Sequence, residues 1–311
     1  MDIGGINIAV LIASLIVSSV PILLAALGEL VVEKSGVLNL GVEGMMIMGS
    51  ICGFIVAVNT GSPVMGFVGG AIGGALLSLI FAVVTQVFLA NQVATGLALT
   101  LFGLGLSSLM GQGYNGIKPP STGAVPFGPL ADIPFFGRVL FSHDWVVYFS
   151  VALVAAVWWV LKYTRTGLIL RAVGESHEAA HALGYKVNRI RLGAIAFGGA
   201  LAGMGGAYVS LVRVPQWVDG ITAGAGWIAL AIVVFASWKP WRVLIGAWLF
   251  GGISVLQLNL QVAGSAIPVE YLSMAPYLIT ILVLVIMSAG RKGKASLNAP
   301  ASLGQNFHAS R

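Results

Sequence analysis

Residues 170–208 read LRAVGESHEAAHALGYKVNRIRLGAIAFGGALAGMGGAY. The second half, from about residue 192, is apolar and rich in small residues. With the residues that follow, it is long enough to cross a bilayer as a helix, which takes about 20 residues. The first half is polar. In it His177, Glu178 and His181 spell H-E-x-x-H, the pattern by which zinc metalloproteases place two metal ligands and a general base on one helix. How the chain is read turns on whether this stretch is an active site or a connection between spans.

The rest of the chain sets its solvent. Of 311 residues, 58% are hydrophobic and only 8% charged, with a mean hydropathy of +0.97. Soluble domains carry about 25% charged residues. A chain this apolar cannot cover itself with a water-compatible surface. Its apolar runs lack the period-two alternation of a membrane barrel. The expectation is therefore all-α: a polytopic transmembrane helix bundle of about nine spans. They fall at about 7–28, 37–58, 64–89, 92–111, 146–163, 192–212, 225–238, 243–262 and 269–289. Residues 36–58 and 225–238 fit either a continuous or a broken span, and the second is short. Asp2 stands where a cleavable signal would be basic, so the first run reads as a retained span.

Cations fix the orientation. Lys34, Lys162 and the Lys and Arg residues of 165–191, 239–242 and 291–311 fall on one side of this scheme. Only Lys118, Arg138 and Arg213 fall on the other. The cation-rich side should be cytoplasmic, which puts the C-terminus inside and the N-terminus outside. The net charge of +6 thus speaks for a membrane surface. No basic stretch interleaves with aromatics in a soluble domain, so nucleic acid is not an expected partner. Cys52 is the only cysteine, lies in an apolar stretch, and reads as a packing residue.

Residues 1–290 read as one membrane domain. Residues 112–145 form an outer Gly/Pro-rich loop whose apolar residues suggest packing on the outer face. Residues 164–191 form a cytoplasmic loop. Residues 291–311 read as a flexible cytoplasmic tail. Glycine is abundant, at 42 residues. Gly69 and Gly73, Gly70 and Gly74, and Gly199 and Gly203 have the small-xxx-small spacing that lets helix backbones approach closely. The likeness of the stretches around 66–78 and 198–208 hints at an internal duplication. Met45, Met46 and Met48 read as packing. Trp217, Trp227, Trp238 and Trp241 read as interfacial anchors.

A zinc protease needs a regular helix, a third ligand and an open coordination position. The remaining histidines are His143, expected outside, and His308, in the tail. Gly174 and Gly184 bracket the motif and leave room for about two helical turns. The segment 176–183 instead reads as a short helix with Ser176 as N-cap and Glu175 and Glu178 near its positive end. Ala179, Ala180 and Leu183 share a face by i,i+3 and i,i+4 spacing. Flanking cations would hold its ends at the headgroups. Such a helix suits a membrane domain that receives a push from a cytosolic motor.

This stretch resembles the coupling loop of ABC importer permeases, in the superfamily that serves branched-chain amino acids and simple sugars. The family pattern is Gly-Glu, then Ala-Ala, then Gly, matched by Gly174, Glu175, Ala179, Ala180 and Gly184. Three more segments are similar to the nucleoside-type, basic-membrane-protein-associated permeases. They are GELVVEKSGVLNLGVEGMMIMG (28–49), GITAGAGWIALAIVVFASWKPW (220–241) and VEYLSMAPYLITILVLVI (269–286). Ala225 departs from the larger polar or charged residue of relatives, which bears on substrate or gating detail.

The resemblance implies a permease subunit in a bacterial or archaeal cytoplasmic (inner) membrane, importing nucleosides; simple sugars or other small polar solutes are the alternative. It implies four kinds of partner: an ATPase subunit that uses ATP and Mg, a second and paralogous permease forming a heterodimer, an extracytoplasmic solute-binding protein, and lipid. It makes Gly174, Glu175, Glu178, Ala179, Ala180, Leu183 and Gly184 the residues that couple to the ATPase. The chain has no G-x-x-x-x-G-K-[ST] loop of its own, so no catalytic residue, bound cofactor or metal ligand is expected in it. A zinc protease built on His177, Glu178 and His181, or a transporter or channel working without ATP, are the readings from other classes.

Polar residues within spans are the candidates for a translocation path. A charge at the bilayer centre costs about 2.5–3.5 kcal/mol on insertion scales, so Glu43 must face the bundle interior, a cavity or an interface. Asn39 lies four residues before it, on the same face if the helix is continuous. Gln92, Thr95 and Thr100 are polar in or near the fourth span. For all five the alternative is interhelical hydrogen bonding, with Glu43 as a hub fixing a broken helix.

Overall fold

The computed structural model describes residues 2–3, 6–262 and 299–308, with scattered positions between 268 and 285. After two short paired strands, β1 (Asp2–Ile3) and β2 (Ile6–Asn7), the described chain is helical. The helices are α1 (Ile8–Lys34), α2 (Val42–Thr60), α3 (Pro63–Ala82), α4 (Gln92–Gly111), α5 (Phe136–Leu140), α6 (Trp145–Tyr163), α7 (Arg165–Glu175), α8 (His177–Ala182), α9 (Val187–Tyr208), α10 (Ala225–Phe235) and α11 (Pro240–Val262). Wider π turns extend α3 to Val87 and α9 to Arg213.

Local chemistry sets the boundaries. Ser62, Asn91, Asp144 and Thr164 each accept a backbone N–H of the helix they precede. Pro63 opens α3, where its missing N–H costs nothing. Gly61 closes α2 at φ 68°, in the left-handed region.

Seven of these helices are long and apolar enough to span a membrane: α1, α2, α3, α4, α6, α9 and α11. Nine spans were expected, and the shortfall has two sources. The expected span 225–238 is α10, a helix of 11 residues. At 1.5 Å per residue it reaches about 16 Å, roughly half of a hydrocarbon core. The expected span 269–289 lies largely outside the described residues.

α9 is the central post, packed on α1, α2 and α3. The two similar Gly-rich stretches meet there. A Cβ on Gly203 would fall 2.1 Å from the carbonyl oxygen of Gly70. The small-xxx-small faces of α3 and α9 thus touch backbone to backbone, as such faces allow. Cys52 packs against Gly73 of α3. Trp217 and Trp238 point into the bundle instead of anchoring at an interface, and Trp238 donates to a carboxylate oxygen of Glu33, 2.5 Å away.

The connection between α1 and α2 is not helical. Residues 35–41 turn back from the end of α1 and rise inside the bundle before α2 begins at Val42. Asn39 and Glu43 therefore do not share a helix face. The segment 112–145 folds over one end of the bundle through two 3-10 turns and α5, which packs on α1. Phe127 packs edge-on against Phe141 and Tyr148 there.

Of the tail, residues 299–308 are described. They lie against the end of the bundle near α8, with Ser302 and Phe307 buried. Nothing in their hydropathy pattern marks this, because their anchoring is by single polar contacts and one aromatic ring.

Candidate functional site

Two features sit at opposite ends of the bundle. α9 with its π turn runs 27 residues, from Val187 beside α8 to Arg213 at the far end, a length of about 40 Å.

At the far end is a cavity of about 640 Å³ between the first half of α1, the segment 138–143, the end of α9, the chain leading to α10 and the second half of α11. Its polar wall includes Ser14, Ser18, His143, Arg213 and Thr222. Its apolar wall includes Val17, Val212 and Leu258. A smaller cavity of about 260 Å³ shares Arg213 and Thr222 and reaches Ala225 and Gln257. Mixed walls and this size suit a small polar solute, for which cavities of about 300–1,000 Å³ are usual.

The inner edge of this cavity is built by a half-helix. Residues 214–224 fold back into the bundle, and Gly224, at φ 83°, lets the chain turn into α10. The N-terminus of α10 points at Glu43. Thr222 Oγ1 donates to Glu43 Oε1 at 2.5 Å, the Gly224 N–H to the same oxygen at 2.9 Å, and the Gly226 N–H to Oε2 at 2.7 Å. The carboxylate thus caps a half-helix dipole at mid-bundle. Thr222 is at once a cavity wall and a ligand of Glu43.

The other path candidates serve the buried 35–41 connection. The Asn39 N–H donates to Glu29 Oε1 at 3.2 Å, and Asn39 Oδ1 accepts the Gly41 N–H at 2.9 Å. Gln92 Oε1 accepts the Leu38 N–H at 2.8 Å. Thr100 Oγ1 donates to the Leu40 carbonyl at 3.3 Å. Irregular backbone inside a membrane domain needs such partners. Asn39, Gln92 and Thr100 come together in this role. Thr95 is half-exposed on α4 and is not among these contacts. None of the five lines the far cavity. Sequence reasoning missed Ser14, Ser18, Arg138, Arg213 and Thr222. The two arginines alone carried a signal, as two of three cations on the expected outer side.

At the opposite end α8 stands out from the bundle. Ser176 Oγ accepts the Ala179 N–H at 3.2 Å, and Gly184 ends the turn at φ 87°. Glu175, Glu178, Ala179 and Gly184 are exposed. Leu183 is 77% exposed, whereas Ala180 is 2% exposed and packs with Val173, Val187 and Phe307. Ala180 thus faces inward and does not share the exposed face of Ala179 and Leu183. Ala179 and Ala180 are consecutive and so point about 100° apart around the helix. Gly174 has a different task again. A Cβ there would lie 2.2 Å from the Lys34 carbonyl oxygen, so α7 sits directly on the end of α1.

The H-E-x-x-H side chains do not converge. His177 is buried, its Nδ1 3.4 Å from an Arg191 nitrogen and its ring against Phe307. His181 also packs against Phe307. A guanidinium beside His177 opposes a metal cation there. Among the described residues no three His, Cys, Asp or Glu side chains could hold a metal together.

Comparison with known proteins fits this architecture. The profile of the branched-chain amino acid transport system permease component matches residues 11–287. The chain belongs to this permease family. The permease is 38% identical to a protein provisionally named a glucose ABC transporter permease of Haloferax volcanii, over 92% of this chain and 94% of that one. It is 31% identical to a nucleoside ABC transporter permease of Lactococcus lactis, over 97% of each. It is 32% identical to a guanosine ABC transporter permease of Bacillus subtilis, over 91% and 93%. Its fold is similar to an inward-facing ABC transporter provisionally typed as metal-chelate, with TM-score 0.51 and 15% identity over 90% of this chain and 85% of that one. The permease is a multi-pass membrane protein of the ABC transporter class.

Proposed function

We propose that this chain is one membrane subunit of an ABC importer for nucleosides, seated in the cytoplasmic membrane with α8 inside and the large cavity facing out. The observation that carries the reading is the joint presence of two features in one bundle. One is a cavity with mixed walls at one end. The other is a short exposed helix at the other end, in a family of transport permeases.

The orientation is supported by the gathering of Lys34, Lys162, Lys186 and Lys239 at helix ends near α8. The exposed Glu175, Glu178, Ala179, Leu183 and Gly184 form the knob that an ATPase subunit would grip. ATP and Mg belong to that subunit. A second, paralogous permease completes the membrane part as a heterodimer, and the segment 112–145 offers the surface for a solute-binding protein. Loaded binding protein and ATP then bias the same two-state change of the bundle.

The cavity supports the substrate class. Ser14, Ser18, Thr222 and Arg213 present donors and acceptors to a ribose, while Val17, Val212 and Leu258 suit the face of a base. A hexose is the second reading, favoured by the glucose name of the 38% identical relative.

The test is purification of the tagged chain from its native membrane in mild detergent, followed by uptake assays on the complex obtained. An ATPase, a second permease and uptake of labelled nucleoside that excess glucose does not inhibit are expected. A chain that purifies alone overturns the ABC reading. Glucose uptake insensitive to nucleosides overturns the substrate.

A further inference from the structure

We infer that residues 299–308 are a strap that carries the movement of α8 to the broken α1–α2 connection, with Arg191 as its positioning residue. This rests on the permease reading above and adds the route of coupling inside the chain.

The strap touches each moving part in turn. The Ser302 N–H donates to the Gly174 carbonyl at 2.9 Å, where α7 leads into α8. The Gly304 N–H donates to the Gly36 carbonyl at 3.2 Å, in the α1–α2 connection. Asn306 donates to the Leu89 carbonyl at 2.6 Å and accepts from Gln92 at 3.1 Å, at the start of α4. Phe307 then enters the small cluster through which α8 is attached, in contact with the rings of His177 and His181 and clustered with Ala180.

Arg191 holds the crossing point. It is fully buried at the start of α9 and donates to Ser35 O at 3.2 Å, Gln86 Oε1 at 3.4 Å and Gln305 O at 3.0 Å. One side chain therefore binds the α1–α2 connection, the end of α3 and the strap. Its planar, many-donor head suits three acceptors in different directions.

The consequence is a continuous physical route. α8 rests on Phe307, and a displacement of α8 acts on the strap. The strap is bonded to Gly36 and, through Gln92, to Leu38. That connection leads into α2, where Glu43 holds Thr222 at the wall of the far cavity. Coupling needs such contiguous contacts between parts that have two arrangements.

The test uses the assembled transporter with chains ending at residue 298 or carrying Phe307→Ala, reading solute taken up per ATP hydrolysed. Assembly and basal ATP hydrolysis are expected to persist, while uptake per ATP falls on the order of tenfold or more. Phe307→Leu, which keeps an apolar contact, should restore it. Unchanged uptake per ATP in both altered chains overturns the strap. Absence of an ATPase with the unaltered chain overturns the permease reading as well, so the two failures are distinct.

A cross-link covers the case in which the altered chains do not assemble. A Cβ on Gly304 lies 3.9 Å from Leu38 Cβ, within the span of a disulfide. In a Cys52→Ala background, Leu38→Cys with Gly304→Cys should keep transport when oxidised, because strap and connection move together. Transport lost on oxidation and regained on reduction would mean that the segment must detach, which overturns the strap.

Discussion

A carboxylate inside a membrane bundle is tolerated when donors surround it, and Glu43 has three within hydrogen-bond reach. Glu43→Ala leaves two backbone N–H groups and a threonine hydroxyl without that acceptor. It should lower stability by about 3 kcal/mol or more, seen as a lower unfolding temperature in detergent. Glu43→Gln keeps one carbonyl oxygen and should lose less.

His177 gives a pH dependence. Burial first, then the Arg191 guanidinium, holds its imidazole below the ordinary histidine range; Glu178 opposes this and His308 adds to it. The packed state thus favours the neutral ring, and the unpacked ring takes up a proton first. The packing of α8 on Phe307 is full above the ordinary value of about 6.5. It weakens as pH falls through that value, until the lowered value of the packed ring is reached. The protection of amides 177–182, taken as exchange relative to the intrinsic rate at each pH, should fall from about pH 8 to about pH 5, and His177→Gln should flatten the profile. Glu43 was legible as an interior carboxylate from its cost alone. Its partners were not, because Thr222 is 179 residues away in the chain.

At the scale of elements, α8 separates docking from folding. Leu183→Arg changes a side chain that is 77% exposed. It should leave the unfolding temperature unchanged and remove the ATPase from the purified complex. Ala180→Arg forces a charge among Val173, Val187 and Phe307. It should lower the unfolding temperature itself, by the cost of an unpaired buried charge, several kcal/mol. Comparing the two in one purification checks the assignment.

Long apolar helices could be read from composition, since each must match the bilayer. The small-residue faces of α3 and α9 could also be read, because spacing alone brings Gly70 and Gly203 into register. What holds the irregular segments could not. Residues 35–41 and 214–224 fall at or between the ends of the expected spans, and what keeps them inside the bundle is tertiary. Glu29, Gln92 and Thr100 satisfy the first, and Glu43 the end of the second. Periodicity does not encode a distant hydrogen-bond partner.

For the whole molecule, the cavity and α8 lie at opposite ends of α9, so a change at one should be felt at the other without altering assembly. Arg213→Gln removes a cation from the cavity wall and touches nothing near α8. It should reduce solute uptake and the stimulation of ATP hydrolysis by loaded binding protein, while basal hydrolysis persists. Equal loss of basal hydrolysis would assign Arg213 to assembly instead. Family membership could be read from the motif around 174–184 and the three further segments. The cavity could not, because its walls come from five separate parts of the chain and its serines and valines are common in any span.

The position of residues 299–308 in the chain has a consequence for biosynthesis. They follow every described span, so the ribosome releases them only after those helices have been made. Until then the acceptor that Gln305 offers Arg191 and the ring that seats α8 are missing from that end of the bundle. The polypeptide thus acquires its finished α8 seat last, after all the described spans have been made.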